Sequence, residues 1–354
     1  MTGSLLLIAA ASLAATAVLW ASCSKLEEAS HRLALHYRVP DVVKGSVLTA
    51  VASSFPELMT AILAIRVHHD FELGLSAIVG SAIYNILVIP AAAVFVRRAP
   101  LKSNRELVYR EAQFYLVAVT VLLLVMSLSV IYGGGQESVE GGTIIYGRLN
   151  RWLAAIPLAL YGLYLFIQFE ETRDSRAEME FTDGISPLKE WSLLLASTAV
   201  IALGVEVLLQ SALALGELLD TPTFFWGMTI VAAATSIPDM MISTKAAVMG
   251  RYGSSVSNVL GSNVFDLLVA VPLGVVLVGS VDLNFSQTVP MMAFLMVATI
   301  VMLAFMRHDM ELNMSEATVM LGLYVGFGIW MAFEALGVTS VLRIPASVLG
   351  IPAP

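Results

Sequence analysis

Two copies of one short pattern constrain this chain more than any other feature of it. Gly45-Ser-Val-Leu-Thr-Ala-Val-Ala-Ser-Ser-Phe-Pro-Glu57 in the first half is matched by Gly227-Met-Thr-Ile-Val-Ala-Ala-Ala-Thr-Ser-Ile-Pro-Asp239 in the second. Glycine, two alanines, serine and proline coincide, Ser53 stands opposite Thr235, and a carboxylate closes each copy. A further match follows each: Val79-Gly-Ser-Ala-Ile-Tyr-Asn-Ile-Leu87, then Leu260-Gly-Ser-Asn-Val-Phe-Asp-Leu-Leu268. Polar positions that recur in register through apolar surroundings mark an internal duplication built around those positions.

What surrounds the pattern decides how such a chain can fold. Of 354 residues, 58% are hydrophobic and only 13% charged, and the mean hydropathy of +0.84 lies outside the range of soluble globular domains. The chain reads as a polytopic membrane protein. A helix needs ~20 apolar residues to cross a bilayer. Ten such runs can be placed, at 3–24, 40–65, 71–96, 112–132, 150–169, 190–217, 222–248, 253–280, 287–306 and 316–336. The expected fold is all-α, with ten transmembrane helices, the second and seventh broken.

The first run has small residues around Ser22-Cys23-Ser24, as a cleaved leader would, but nothing basic precedes it and Lys25, Arg32 and Arg38 follow it. It is kept as a membrane helix. Cys23 is the only cysteine, which removes an intrachain disulfide and a thiolate metal cage. Most of the net charge of −8 lies in loops. The lipid bilayer is therefore an expected partner and nucleic acid is not. The sequence leaves the oligomeric state open, a monomer being compatible with it; no cofactor is expected.

Lysine and arginine are enriched in cytoplasmic loops. Alternate loops, starting after the first helix, hold Lys25, Arg32, Arg38, Arg97, Arg98, Lys102, Arg105, Arg110, Arg173, Arg176, Lys189, Lys245, Arg251 and Arg307, against Arg66, Arg148, Arg151 and Arg343 in the opposite set. Both termini are thus expected outside, in what reads as a prokaryotic inner (plasma) membrane. Five crossings per half is an odd number, so the second half enters upside down. Residues 1–169 and 190–354 are expected to form inverted five-helix repeats, with a polar cytoplasmic linker at 170–189 too short for a regulatory domain. Inverted repeats place their substrate site near the midplane, in interrupted helices.

On a helical wheel Ala50, Ser53, Ser54 and Glu57 share one face, as do Ala232, Thr235, Ser236 and Asp239. Ser81 and Asn85 are one turn apart, and so are Ser262 and Asp266. Pro56 and Pro238 open their helices, which on proline geometry alone frees the carbonyls of Ala52 and Ala234. Freed carbonyls within a membrane need a partner or a wet cavity, and a cation is one. Oxygens without histidine or thiolate suit calcium or sodium. Glycines such as Gly80 and Gly261 are equally explained by close helix packing. Acids at mid-membrane cost about 2.5–3.5 kcal/mol each and so mark function.

Gly-x4-Ala-x3-Ser-x-Pro-Glu/Asp followed by Gly-Ser-x-x-Phe/Tyr-Asn/Asp, present twice, resembles the alpha repeats of the cation/calcium antiporter superfamily, the sodium/calcium exchangers. Ser-Phe-Pro-Glu57 with Gly80 to Asn85, and Ser-Ile-Pro-Asp239 with Gly261 to Asp266, are most similar to its potassium-dependent branch. The resemblance implies a secondary antiporter exchanging calcium for sodium by alternating access, with potassium as a candidate co-substrate and the first and sixth helices as the mobile pair. It implies a central calcium on Glu57 and Asp239, completed by Ser53, Ser54, Thr235, Ser236 and the carbonyls of Ala50 and Ala232. It also implies flanking sodium sites at Ser81, Asn85, Ser262 and Asp266. Asp239 departs from the glutamate of many prokaryotic relatives, and Ala50 and Ser53 replace a more usual Gly-Thr-rich run.

Charge alone argues for exchange. About three monovalent ions neutralise three carboxylates, whereas one calcium leaves a charge over, and an empty charged pocket crosses hydrocarbon at high cost. Three other readings compete: a proton-coupled cation antiporter, which would call for a histidine-bearing helix motif; a calcium channel, which would call for a continuous pore; and an intramembrane hydrolase, whose His-Glu-x-x-His or Gly-x-Gly-Asp is absent. His68, His69 and Asp70 are placed at the outer mouth as boundary residues, and His31, His36 and His308 in cytoplasmic loops.

Overall fold

The computed structural model describes residues 2–37, 49–102, 110–139, 142–173, 186–339 and 341–342. Helices dominate because apolar runs in a bilayer must satisfy their own backbone. In chain order they are α1 (Thr2–His36), α2 (Thr49–Ser53), α3 (Phe55–Arg66), α4 (Phe71–Arg97), α5 (Ala112–Gly133), α6 (Arg151–Arg173) and α7 (Pro187–Leu219). Then follow α8 (Thr223–Trp226), α9 (Ala232–Thr235), α10 (Ile237–Val248), α11 (Tyr252–Phe265), α12 (Val271–Val278), α13 (Phe285–Arg307) and α14 (Met314–Ala335). Among the described residues eight helical stretches are long and apolar enough to span a membrane, and a ninth forms when the bent pair of 223–235 and 237–248 is taken together. The expected span at 40–65 is described only from residue 49, as α2 and α3, and its glycine Gly45 lies outside the described residues. So does 174–185 of the expected linker.

The breaks fall two residues before each proline, at Ser54 and Ser236, where the prolines open α3 and α10. The chain bends by 43° at the second break. π-helical turns at Gly227–Val231 and Asp266–Ala270 loosen the ladder further, one before the break and one after the Gly261-Ser262 motif. Capping fixes where the motif helices start and stop. Asp70 accepts from Leu73 N at 2.8 Å to open α4, which ends at Arg98 in a left-handed conformation.

Burial sorts the spans into centre and rim. The α4 window is 78% buried and that of residues 252–278 is 83% buried, against 17% for α1 and 22% for α14. The two helices carrying the second motif are thus the axis of the molecule. Apolar contacts form two separate cores. One joins α4, α5 and α11 to α14; the other packs Leu19, Cys23 and Leu26 of α1 against Ile201, Val205 and Leu208 of α7, with Ala52 and Ala234 at the breaks. Arg32 Nη1 to Glu190 Oε1 (3.4 Å) and Trp191 Nε1 to Tyr37 Oη (3.1 Å) also join α1 to α7.

The all-α expectation needs one correction. Strands β2 (Gly135–Val139), β3 (Gly142–Asn150) and β4 (Ser280–Asn284) form an antiparallel sheet with β3 central, and β1 (Leu101–Lys102) pairs with β5 (Glu311–Leu312). The Thr-Ile-Ile-Tyr run of β3 has the β-branched and aromatic content that fits a pleated surface. The hairpin sheet ties the chain between α5 and α6 to the chain between α12 and α13. Gly134 permits the approach, since a Cβ there would meet Tyr146 O of β3 at 2.7 Å.

Candidate ion-binding site

Both broken helices and both axial helices deliver their polar residues to one place. Ser53, Ser54, Glu57, Ser81, Asn85, Thr235, Ser236, Asp239, Ser262 and Asp266 are all at most 1% exposed. Within each repeat the motif serine holds the motif carboxylate. Ser81 Oγ donates to Glu57 Oε1 at 3.2 Å, and Ser262 Oγ to Asp239 Oδ1 at 3.0 Å. Across the repeats Asn85 Nδ2 donates to Asp239 Oδ2 at 3.0 Å, and the Ser81 and Ser236 hydroxyls lie 2.8 Å apart. Thr235 faces Glu57, and its counterpart Ser53 faces Asp239. Ser54 faces Asp266. The two halves therefore share one polar centre.

That centre has more acceptors than donors. Glu57 Oε2, Asn85 Oδ1, Ser54 Oγ and both oxygens of Asp266 are buried without a hydrogen-bond partner. Buried oxygens left unpaired are unfavourable, and carboxylate oxygens most of all. Such a set has the oxygens that a cation takes. Among the described residues no three His, Cys, Asp or Glu side chains are arranged to cage a metal by themselves. The oxygens gathered beside the carboxylates are hydroxyls and amides, of the kind that hard cations accept.

Two sequence expectations need comment. Ala232 O already accepts from Ser236 N at 3.1 Å and from Thr235 Oγ1 at 3.3 Å, so it reaches an ion only if those bonds yield. For Ala50 only the backbone is described, in α2. Gly80 is a packing glycine. A Cβ there would lie 2.9 Å from Ala232 Cβ and closer still to Met228 O, so α4 crosses the π turn in close contact.

Sequence reasoning missed Asn263. Its amide donates to Ala82 O (3.1 Å) and Tyr115 Oη (3.2 Å) and accepts from Asn85 Nδ2 (3.0 Å), which fixes Asn85 against Asp239. Its repeat counterpart is Ala82 itself, so a polar residue standing against alanine was the available signal. Of the boundary residues, His68 Nε2 pairs with Glu206 Oε2 at 3.1 Å, and Asp70 caps α4 and accepts from Thr223 Oγ1 at 2.9 Å. His31 and His36 belong to the last turns of α1 and not to a loop.

Fold and site define a polytopic membrane protein with a buried, acidic, oxygen-lined centre built from a duplicated motif. The family described as sodium/calcium exchanger protein matches residues 7–170 and 189–333, and the chain belongs to it. It is a family of transporters, not of enzymes, within the cation/calcium antiporter superfamily. Similar relatives include the inner membrane protein YrbG of Escherichia coli, 25% identical over 88% of this chain and 91% of that one. The sodium/calcium exchanger MaX1 of Methanosarcina acetivorans is 22% identical over 82% of this chain and 88% of its own. A solved structure of the sodium-calcium exchanger NCX_Mj, soaked with sodium and strontium, covers 90% of this chain and 97% of its own at 21% identity, with a TM-score of 0.59. The fold is shared.

Proposed function

We propose that this protein exchanges calcium for sodium across the membrane by alternating access. The observation that carries it is the set of unpaired buried oxygens on Glu57, Asn85 and Asp266, which both repeats bring to one centre. Glu57 and Asp239 hold the calcium, with Ser53, Ser54, Thr235 and Ser236 completing it, while Ser81, Asn85, Ser262 and Asp266 serve sodium. The two ligand sets are hydrogen-bonded to each other, Ser81 to Glu57 and Ser262 to Asp239, so filling one disturbs the other and the ions displace each other, and a vacated centre stays charged and does not cross.

The architecture that serves this is two inverted five-helix repeats with both termini outside. The packing of Leu19, Cys23 and Leu26 of α1 on Ile201, Val205 and Leu208 of α7 supports their movement as a pair past Ala64, Leu73 and Ala77 of α3 and α4, which the same core includes. Asp266, with no hydrogen-bond donor on either oxygen, is where a co-transported potassium ion would balance the third carboxylate. Relatives named sodium/potassium/calcium exchangers support that, among them human exchanger 5 at 24% identity over 64% of this chain and 61% of its own. The test is calcium flux in proteoliposomes with sodium, potassium and proton gradients imposed one at a time. Flux driven by the sodium gradient is expected; flux driven only by protons would replace this reading with the proton-coupled one.

A further inference from the structure

The second repeat carries a polar column that the first lacks. Ser243 stands one turn beyond Asp239 on α10, and Asn258 one turn before Ser262 on α11; they are 0% and 8% exposed. Asn258 Nδ2 donates to Ser243 Oγ at 3.1 Å, its carbonyl accepts from Ser262 Oγ at 2.8 Å, and its side chain also faces Asp239. Asn258 Oδ1 is left buried with no donor. Ser255, Asn258, Ser262 and Asp266 recur at three- and four-residue steps, so one face of α11 carries polar groups from its first turn to the π turn.

Aligned on Glu57 and Ser81, the first repeat has Ala61 in place of Ser243, Ala77 in place of Asn258 and Gly74 in place of Ser255. There the same region is closed by small apolar contacts: a Cβ on Gly74 would meet Ala64 Cβ at 3.0 Å. The duplication supplied alanines or polar residues at these places, and only one copy is polar. An amide oxygen buried in a membrane without a donor is unfavourable unless a ligand takes it.

We infer that Asn258 Oδ1, its amide nitrogen anchored on Ser243 Oγ and turned to Asp239, is the ligand of an additional cation subsite on the α10–α11 side of the main centre. A neutral amide oxygen near one carboxylate suits a monovalent cation, sodium in this exchange, and holds too little charge for a second calcium. The subsite rests on the exchange reading and adds a direction to it. Sodium entering from the face of the α10–α11 turn, where Lys245 and Arg251 lie, meets a station one turn before Asp239. Sodium entering from the opposite face meets Ala61 and Ala77 and has none.

The test is sodium-driven calcium flux in proteoliposomes with the protein uniformly oriented, sodium being titrated on one face at a time. Ser243→Ala with Asn258→Ala copies the first repeat. It should raise the half-saturating sodium concentration about three- to tenfold on the α10–α11 face, the worth of roughly one hydrogen-bond-sized contact, and leave the other face within about twofold. Asn258→Asp should lower it on the same face, which a residue that merely knits α10 to α11 would not do. A folded double variant with unchanged sodium dependence, or with equal shifts on both faces, overturns the subsite. If the double variant fails to fold, Asn258→Asp decides alone, and an unchanged half-saturation overturns it. Absence of sodium-driven flux in the unmodified protein would instead overturn the exchange reading.

Discussion

The three carboxylates of the centre differ in how firmly they are held. Asp239 has both oxygens occupied by Ser262 and Asn85, Glu57 has one occupied by Ser81, and Asp266 has none. A prepositioned ligand and a half-free one suit a shared divalent ion, so Glu57→Gln and Asp239→Asn should each abolish calcium transport in a protein that still folds. Calcium uptake within about twofold of the unmodified protein would remove that residue from the site. Asp266→Asn should keep calcium exchange measurable while weakening potassium dependence and changing the net charge moved per cycle, as read by current across the proteoliposome membrane. Unaltered potassium dependence and charge would remove Asp266 from that role. The motif residues were legible because the two halves repeat them. Asn258 and Asn263 were passed over, because matching looks for agreement and each stands against alanine in the other repeat, where the mismatch itself was the signal.

At the scale of elements, the hydrophobic runs anticipated several spans to within a few residues, 71–96 becoming Phe71–Arg97 and 112–132 becoming Ala112–Gly133, whereas the first, expected at 3–24, continues as helix through its charged turns to His36. Pro56 and Pro238 announced the breaks for the reason proline always does. The π turns left no trace, since one extra residue in a turn changes neither composition nor hydropathy. The sheet of β2, β3 and β4 was hidden in stretches read as loops, where strand pairing depends on residues far apart in the chain. Packing at the crossing of α4 and the first π turn yields a prediction. Gly80→Ala drives a methyl group against Met228 O and Ala232, and overpacking of this kind costs about 1–3 kcal/mol. The variant should melt at lower temperature in detergent and transport more slowly, and an unchanged melting temperature would show that the crossing yields readily.

For the whole molecule, the packing of α1 on α7 sets out which parts can move together. Leu19 of α1 lies against Gly204 of α7, and a Cβ there would sit 2.9 Å from a Leu19 methyl, whereas α1 meets the site helices near Cys23. Joining α1 to α7 by engineered cysteines near these positions, in a Cys23→Ser background, should therefore leave exchange intact. Joining α1 to α10 should stop it. Exchange rates before and after oxidation decide; loss of exchange in the first pair would show that α1 and α7 do not travel as one. The central claim is tested most directly by calcium accumulation in proteoliposomes under an imposed sodium gradient. The account predicts uptake against a calcium gradient when sodium is high inside, reversal when the sodium gradient is reversed, and neither with Glu57→Gln. Calcium movement that only ever runs down its own gradient, indifferent to the direction of the sodium gradient, would contradict it.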